Sequence, residues 1–149
     1  MGRMPRPISH GPRVLLASTP SADAILRQLL EPFGGFVSAY THEEAIEQIE
    51  AGVDLVVCSL RFDESRMLDL IAEVARLKPH LPFICCRVQE SELPESSLRA
   101  AFTAAGHLGA VAVIDLPEIM RAAGADRAEA QLNACVRAHL QGAGHASMS

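Results

Sequence analysis

The segment Asp54–Ser59 is the feature that most constrains the fold of this chain. It begins with an acid, continues with a four-residue apolar run, and ends at a polar residue, Ser59. A short run without polar alternation is typical of a strand buried on both faces of a parallel sheet. In open α/β sheets, ligands and reactive groups lie beyond the carboxyl ends of such strands. Ser59 and the loop after it therefore occupy a position where a reactive side chain is expected.

Similar apolar runs recur along the chain and alternate with helical patterns. The predicted strands are 13–17, 36–40, 54–58, 82–88 and 110–114, and the predicted helices begin at Ser21, Thr41, Asp63 or Ser65, Ser96 and Asp126. Right-handed crossovers between parallel strands place helices on both faces of a sheet. The pattern predicts a flavodoxin-like three-layer α/β sandwich, with a five-stranded parallel sheet of order 2-1-3-4-5 and five helices. We expect one domain over 13–141, between a disordered N-terminal arm, 1–12, and a disordered tail, 142–149.

Composition excludes several classes of function. The chain has 149 residues, of which 49% are hydrophobic, and a formal net charge of −5, which disfavours nucleic acid and anionic membranes as partners. No run approaches the roughly 18 apolar residues of a membrane helix, so we expect a cytoplasmic protein. The four cysteines lack the C-x-x-C spacing of zinc sites, and three of them lie in predicted strands. They are expected to pack in the core, and we predict no metal and no cofactor.

Polar residues follow four of the predicted strands and should meet at one edge of the sheet. They are Ser18, Thr19, Ser59, Arg61, Arg87 and Asp115, with Leu116 beside them. Two further acids near this edge, Asp63 and Glu64, are expected to cap the next helix or to face solvent. Neither a glycine-rich phosphate loop nor a G-x-S-x-G elbow occurs. No catalytic site is predicted, and we expect the protein not to be an enzyme.

The order and lengths of these elements, with the segments 14–16, 54–59, 82–84 and 109–117, resemble the receiver domain of bacterial two-component response regulators. The resemblance covers residues 13–141. It implies that Ser18 and Thr19 stand where the family has the acidic pair that holds Mg²⁺, and Ser59 where it has the phosphoacceptor aspartate. Neutral hydroxyls supply no charge to offset the dehydration of a hard cation. We therefore expect neither Mg²⁺ binding nor aspartyl phosphorylation.

The resemblance also places three other residues of the family's pocket. Arg87 corresponds to the switch threonine or serine, Leu116 to the lysine that neutralises the phosphoryl group, and Pro117 to the proline that follows that lysine. In the family the bond before this proline is often cis, which suggests a cis Leu116–Pro117 bond. Arg87 has two interpretations: it forms a permanent charge pair with Asp115 or Asp63 that fixes the switch region, or it extends into solvent.

These departures predict a degenerate receiver-like signalling domain that acts by protein–protein interaction. Its partners would be other signalling proteins or a second copy of the chain, bound through the face of helix four, strand five and helix five, at 96–106, 110–114 and 126–141. One alternative is a sensor of a small anionic ligand or nucleotide, bound at the strand ends by Arg61 and Arg87. The other is an uncharacterised enzyme of flavodoxin-like fold.

Overall fold

A computed structural model describes residues 12–90 and 94–148, with the backbone alone for 141–148. Its five strands form one parallel sheet in the order β2-β1-β3-β4-β5. The strands are β1 (Val14–Ala17), β2 (Phe36–Ala39), β3 (Leu55–Ser59), β4 (Phe83–Arg87) and β5 (Ala112–Asp115). The predicted fold class and strand order are confirmed. Every residue of the three central strands is buried, as the continuous apolar runs indicate.

Within the described residues the chain forms seven α-helical segments, two more than predicted, and one short 3₁₀ helix, Glu31–Phe33. The α-helical segments are α1 (Pro20–Leu29), α2 (His42–Ala51), α3 (Phe62–Ser65), α4 (Met67–Leu77), α5 (Glu95–Leu108), α6 (Leu116–Ala123) and α7 (Ala125–Met148). One addition, α3, is a single turn, and the other, α6, begins directly after β5. Gly124 separates α6 from α7 at the predicted break. The helix α7 continues past Gly142, where the sequence predicted its end.

The sheet has a separate hydrophobic core on each face, because alternate residues of a strand point to opposite sides. Val56 and Cys58 of β3 pack in the core that α2, α4 and α5 cover. Leu55 and Val57 pack in the core that α1 and α7 cover. Burial raises the pKa of Cys85 to about 12 and also raises the pKa of the Cys58 thiol. The strand cysteines are therefore neutral core residues, in agreement with the prediction.

The residue that caps α1 differs from the prediction, whereas the residue that caps α2 agrees with it. The expected cap, Ser21, lies inside α1, and the N-cap is Thr19, whose Oγ1 accepts a hydrogen bond from the backbone N–H of Ala22 at 3.2 Å. The predicted cap of α2 is present, since Thr41 Oγ1 accepts from the N–H of Glu44 at 3.1 Å. Both caps satisfy backbone donors that the first helical turn leaves without partners.

The single turn α3, directly after β3, does not have the backbone of an ordinary right-handed helix. Asp63, Glu64 and Ser65 have φ angles of 45°, 56° and 70°, which lie in the left-handed region. A non-glycine residue in this conformation costs roughly 1–2 kcal/mol. Neither Asp63 nor Ser65 caps α4, contrary to prediction; the Asp63 carboxylate instead accepts a hydrogen bond from the N–H of His42 in α2, at 2.7 Å. Tertiary contacts therefore hold a strained turn beside the strand ends.

The predicted N-terminal arm lies outside the described residues except for Pro12. None of the helices formed by residues 12–90 and 94–148 combines the length and the apolarity required to cross a membrane.

Candidate functional site

The carboxyl ends of β3 and β4 and the start of α1 border a cavity of about 310 Å³. We call it the strand-end cavity. Its polar lining comes from three segments: the β1–α1 turn, the end of β3, and the residues from Arg87 to Glu90. The lining side chains with hydrogen-bonding groups are Thr19, Ser21, Ser59, Arg61, Arg87, Gln89 and Glu90. The topology thus gathers the residues at the edge where the sequence placed them.

Two serine hydroxyls at this edge are buried without partners. Ser18 is fully buried and Ser59 is 2% exposed. Neither Oγ atom has a hydrogen-bond partner in the described part of the chain. A buried polar atom left without a hydrogen bond costs about 1–3 kcal/mol. Burial and a neutral hydroxyl make Ser59 a much weaker phosphoryl acceptor than a strand-end carboxylate would be.

Arg87 is the centre of an ionic network at the same edge. It is the last residue of β4 and is 5% exposed, so its side chain does not extend into solvent. One terminal nitrogen donates to both carboxylate oxygens of Asp115, at 3.1 and 3.3 Å, and the other donates to Glu90 at 3.0 Å. The register of β4 and β5 pairs Arg87 directly with Asp115. Of the two partners that the sequence suggested, Asp115 is therefore the one in contact.

The two acids extend this network to α6. Asp115 also caps α6, since its Oδ1 accepts a hydrogen bond from the N–H of Glu118 at 3.2 Å. The second oxygen of Glu90 accepts a hydrogen bond from Arg121 on the last turn of α6. Two guanidiniums thus alternate with two carboxylates, and they connect β4, β5, the loop after β4 and α6. Sequence reasoning did not identify Glu90 or Arg121, because it did not predict α6.

The other charged residues near the edge, Asp63, Glu64 and Arg61, are not part of the Arg87 network. Asp63 accepts from the His42 N–H and lies 3.5 Å from the Arg66 guanidinium, so it is engaged outside the cavity lining. Glu64 is exposed. Arg61 is exposed at the mouth of the cavity, and the described residues give it no ion pair. The structure pairs Arg87 with Asp115, and Arg61 lines the same cavity as Arg87.

Leu116 and Pro117, to which the resemblance assigns the family's lysine and proline positions, are buried. Both lie in the first turn of α6, where Leu116 packs with residues of α1 and α7. The described residues contain no cis peptide bond, so the suggested cis Leu116–Pro117 bond is wrong. The physical reason is that the helix begins at once after β5, and a proline in the first helical turn needs no partner for its missing N–H.

The donor set of the strand-end cavity does not suit a Mg²⁺ ion. Magnesium prefers carboxylate oxygens in octahedral geometry. The one carboxylate in the cavity lining belongs to Glu90, and both of its oxygens already accept from guanidiniums. Among the described residues, no group of three or more His, Cys, Asp or Glu side chains is placed to hold a metal ion. The buried cation of Arg87 adds a repulsive charge at the same edge.

No protein-family model and no curated protein matches the chain. Solved structures do match it. The signal receiver domain of an HD domain-containing protein from Pseudomonas fluorescens Pf-5 has a TM-score of 0.69 at 18% identity, over 96% of both chains. The CheY-like response regulator receiver domain protein from Methanospirillum hungatei JF-1 has a TM-score of 0.66 at 19% identity, over 90% of this chain and 97% of its own.

A third match is the response regulator TrrA from Thermotoga maritima, solved in complex with Mg²⁺ and BeF. It has a TM-score of 0.56 at 20% identity, over 70% of this chain and 85% of its own. Together these likenesses show that the chain has the receiver fold.

Proposed function

We propose that this chain is a degenerate receiver-like signalling domain that acts through protein contacts, without aspartyl phosphorylation and without Mg²⁺. The network centred on Arg87 is the observation that supports this proposal most directly. Arg87, to which the resemblance assigns the family's switch position, is a buried cation held by Asp115. Contacts that depend on a phosphoryl group in the family would here be replaced by constant charge pairs.

The chemistry of the cavity supports the first half of the proposal. Phosphoryl transfer depends on positioning and on neutralising the charge that develops on the transferred group. In this chain Ser59 replaces the acceptor carboxylate, and Leu116 replaces the neutralising amine. Glu90, the one acid in the described cavity lining, is shared by two arginines. No free carboxylate in the described lining is available to take a phosphoryl group, and the protein is proposed to have no enzymatic activity.

Surface composition supports the second half of the proposal. The described residues include five large apolar side chains that are exposed, and four of them lie on α5, β5, α6 or the segment between α5 and β5. They are Leu108, Val111, Val113 and Met120. Exposed apolar residues at one edge of a domain favour a protein partner. The predicted third part of this face, 126–141, belongs to α7, which packs on α1 and the sheet. The surface groove beside Val113 of β5 is lined by α6, through Glu118 and Arg121, as well as by α5.

Intact-mass analysis tests the loss of phosphorylation. The full chain is incubated with acetyl phosphate and Mg²⁺, with a phosphorylatable receiver domain in the same tube as a positive control. Melting curves with and without beryllofluoride are recorded in parallel. We expect no added phosphoryl mass and no change of Tm in this chain. The control should show both the added mass and a shift of Tm. A labile phosphoryl adduct would contradict the proposal, and peptide mapping would then identify the acceptor.

Light scattering after size-exclusion chromatography tests self-association through the β5 edge. We expect the molar mass to rise toward that of a dimer with increasing concentration. Val113→Glu, which places a charge on the exposed side of β5, should keep the chain monomeric. Ala130→Glu on the exposed side of α7 is the matched control and should leave the dimer intact. A monomer at every concentration would reject a homodimer.

A further inference from the structure

We propose that residues 63–65 are a two-state turn, which the hydrogen bond from the His42 N–H to Asp63 holds in the left-handed conformation. In the second arrangement the same residues become right-handed and extend α4 at its N-terminal end. This inference goes beyond the proposed function, because it assigns the domain a moving element that needs no phosphoryl group. It does not depend on whether the β5 edge binds a partner.

The conformation of this turn opposes the preferences of its own residues. The φ angles of Asp63, Glu64 and Ser65 are 45°, 56° and 70°. Residues other than glycine adopt this conformation singly, and three in succession are exceptional. Glutamate and the arginine that follows Ser65 favour a right-handed helix, while aspartate and serine favour its N-cap. Such a segment persists only where contacts with the rest of the fold impose it.

The contacts that impose the left-handed turn meet at the Asp63 carboxylate. It accepts the backbone N–H of His42 at 2.7 Å and lies 3.5 Å from the Arg66 guanidinium. His42 is the first residue of α2, so its N–H has no acceptor within the helix. Its ring holds α2 to α4, because His42 Nε2 lies 2.9 Å from Glu73 Oε1. The N–H is thus fixed in place, and the turn brings the carboxylate to it.

A change of hand in the turn would move α4. Phe62 and Met67, on either side of the strained residues, are both buried in the core that α2, α4 and α5 cover. A turn of the opposite hand leads the chain from one to the other in a different direction, so the first turn of α4 must shift. Packed helices transmit such shifts to their neighbours. Because α4 packs on α5, the movement would reach the face proposed to bind a partner.

NMR of the ¹⁵N,¹³C-labelled full chain tests the proposal through Asp63→Ala, which removes the carboxylate. The NOE between the amide and α protons of one residue is strong at positive φ and weak in a right-handed helix. We expect strong NOEs of this kind at residues 64 and 65 of the unaltered chain and weak ones in Asp63→Ala. Strong NOEs at both residues in a folded Asp63→Ala variant would overturn the proposal.

Amide hydrogen exchange gives a second readout. The His42 N–H should exchange about tenfold or more faster in Asp63→Ala, since it loses a hydrogen bond to a charged acceptor. The Glu44 N–H, two residues along α2, should be unaffected because it donates to Thr41 Oγ1. Asp69→Ala is the matched control: Asp69 is an exposed acid that also contacts Arg66, at 3.5 Å, but not α2. This control should change neither the NOEs nor the exchange of His42.

Glu64→Gly tests the opposite direction and does not depend on Asp63→Ala being folded. Glycine adopts a φ of 56° without strain and disfavours a right-handed helix, so it should hold the turn in the observed state. The His42 N–H should then exchange about fivefold more slowly than in the unaltered chain. Glu64→Ala keeps the strain and should give no such slowing. Equal exchange of His42 in Glu64→Gly and in the unaltered chain would contradict a two-state turn.

Discussion

Replacing Arg87 by Met should destabilise the domain by about 2 kcal/mol. The thioether fills most of the space of the arginine stem but cannot donate to the acids. Removing one partner of a fully buried ion pair costs about 3–5 kcal/mol, because the other charge is left uncompensated. The cost should be smaller here, since the Asp115 side chain is 19% exposed and keeps its hydrogen bond from the Glu118 N–H. Glu90 adds little, since its side chain is 64% exposed and keeps Arg121.

A double-mutant cycle with Asp115→Asn isolates the pair. Asparagine caps helices as well as aspartate does, so this variant should keep the start of α6 while losing the charge. Urea unfolding of the two single variants and the double variant should give a coupling energy of about 2 kcal/mol, within the range for residues in one network. Glu90→Gln with Arg121→Gln is the matched exposed cycle, and its coupling should stay below about 1 kcal/mol. A coupling of less than about 0.5 kcal/mol between Arg87 and Asp115 would refute the idea that this pair fixes the edge.

Three further predictions concern stability. Unfolding free energy should fall above about pH 8.5, the thiol pKa of an unfolded chain, because burial raises the pKa of Cys85 to about 12 in the folded state. Above that pH, each buried thiol lowers the free energy of unfolding by about 1.4 kcal/mol per pH unit. Cys85→Ala should therefore flatten this pH dependence in urea titrations under reducing conditions. An unchanged slope would contradict the prediction. Glu64→Gly should stabilise the chain by about 1 kcal/mol, because glycine adopts a φ of 56° without strain, whereas Glu64→Ala should give no such gain in thermal melts. Thr19→Ala should cost about 1 kcal/mol through the lost cap of α1, and Ser21→Ala, at the exposed second position of the helix, should cost clearly less in the same melts.

The layout of the sheet was predictable because its determinants are local. The run from Leu55 to Cys58 is buried on both faces, and such runs differ from the amphipathic helices on either side. The helix α6 was missed because a proline directly after a strand suggests a break. Pro117 instead lies in the first turn of a helix, where its ring fits, and Asp115 caps that helix. The spacing of Asp115 and Glu118 was the available signal for a helix start.

The sequence was sufficient to predict where the site residues lie, but not which of them form ion pairs or hydrogen bonds with one another. The strand-end rule predicts Ser59, Arg87 and Asp115 at one edge, and in the structure they are the last residues of β3, β4 and β5. The partner of Arg87 depends on the register of β4 against β5, which no local pattern specifies. The engagement of Asp63 with α2 likewise depends on three left-handed residues, a conformation that their side chains do not favour.

The magnitude expected for the Arg87–Asp115 pair limits what it can do in a signalling domain. A domain that signals must populate at least two arrangements, and a ligand shifts them only by its difference in affinity. A coupling of about 2 kcal/mol corresponds to a bias of about 30-fold toward the paired arrangement. Moving an equilibrium from 1:99 to 99:1 takes about 5.5 kcal/mol. Under the proposed function the pair would set the resting state of the β5 edge, and a protein that bound Val113 and Met120 only in an unpaired arrangement would have enough binding energy to reverse it. Such a partner should bind Arg87→Met more tightly than the unaltered chain, by at most the same 30-fold.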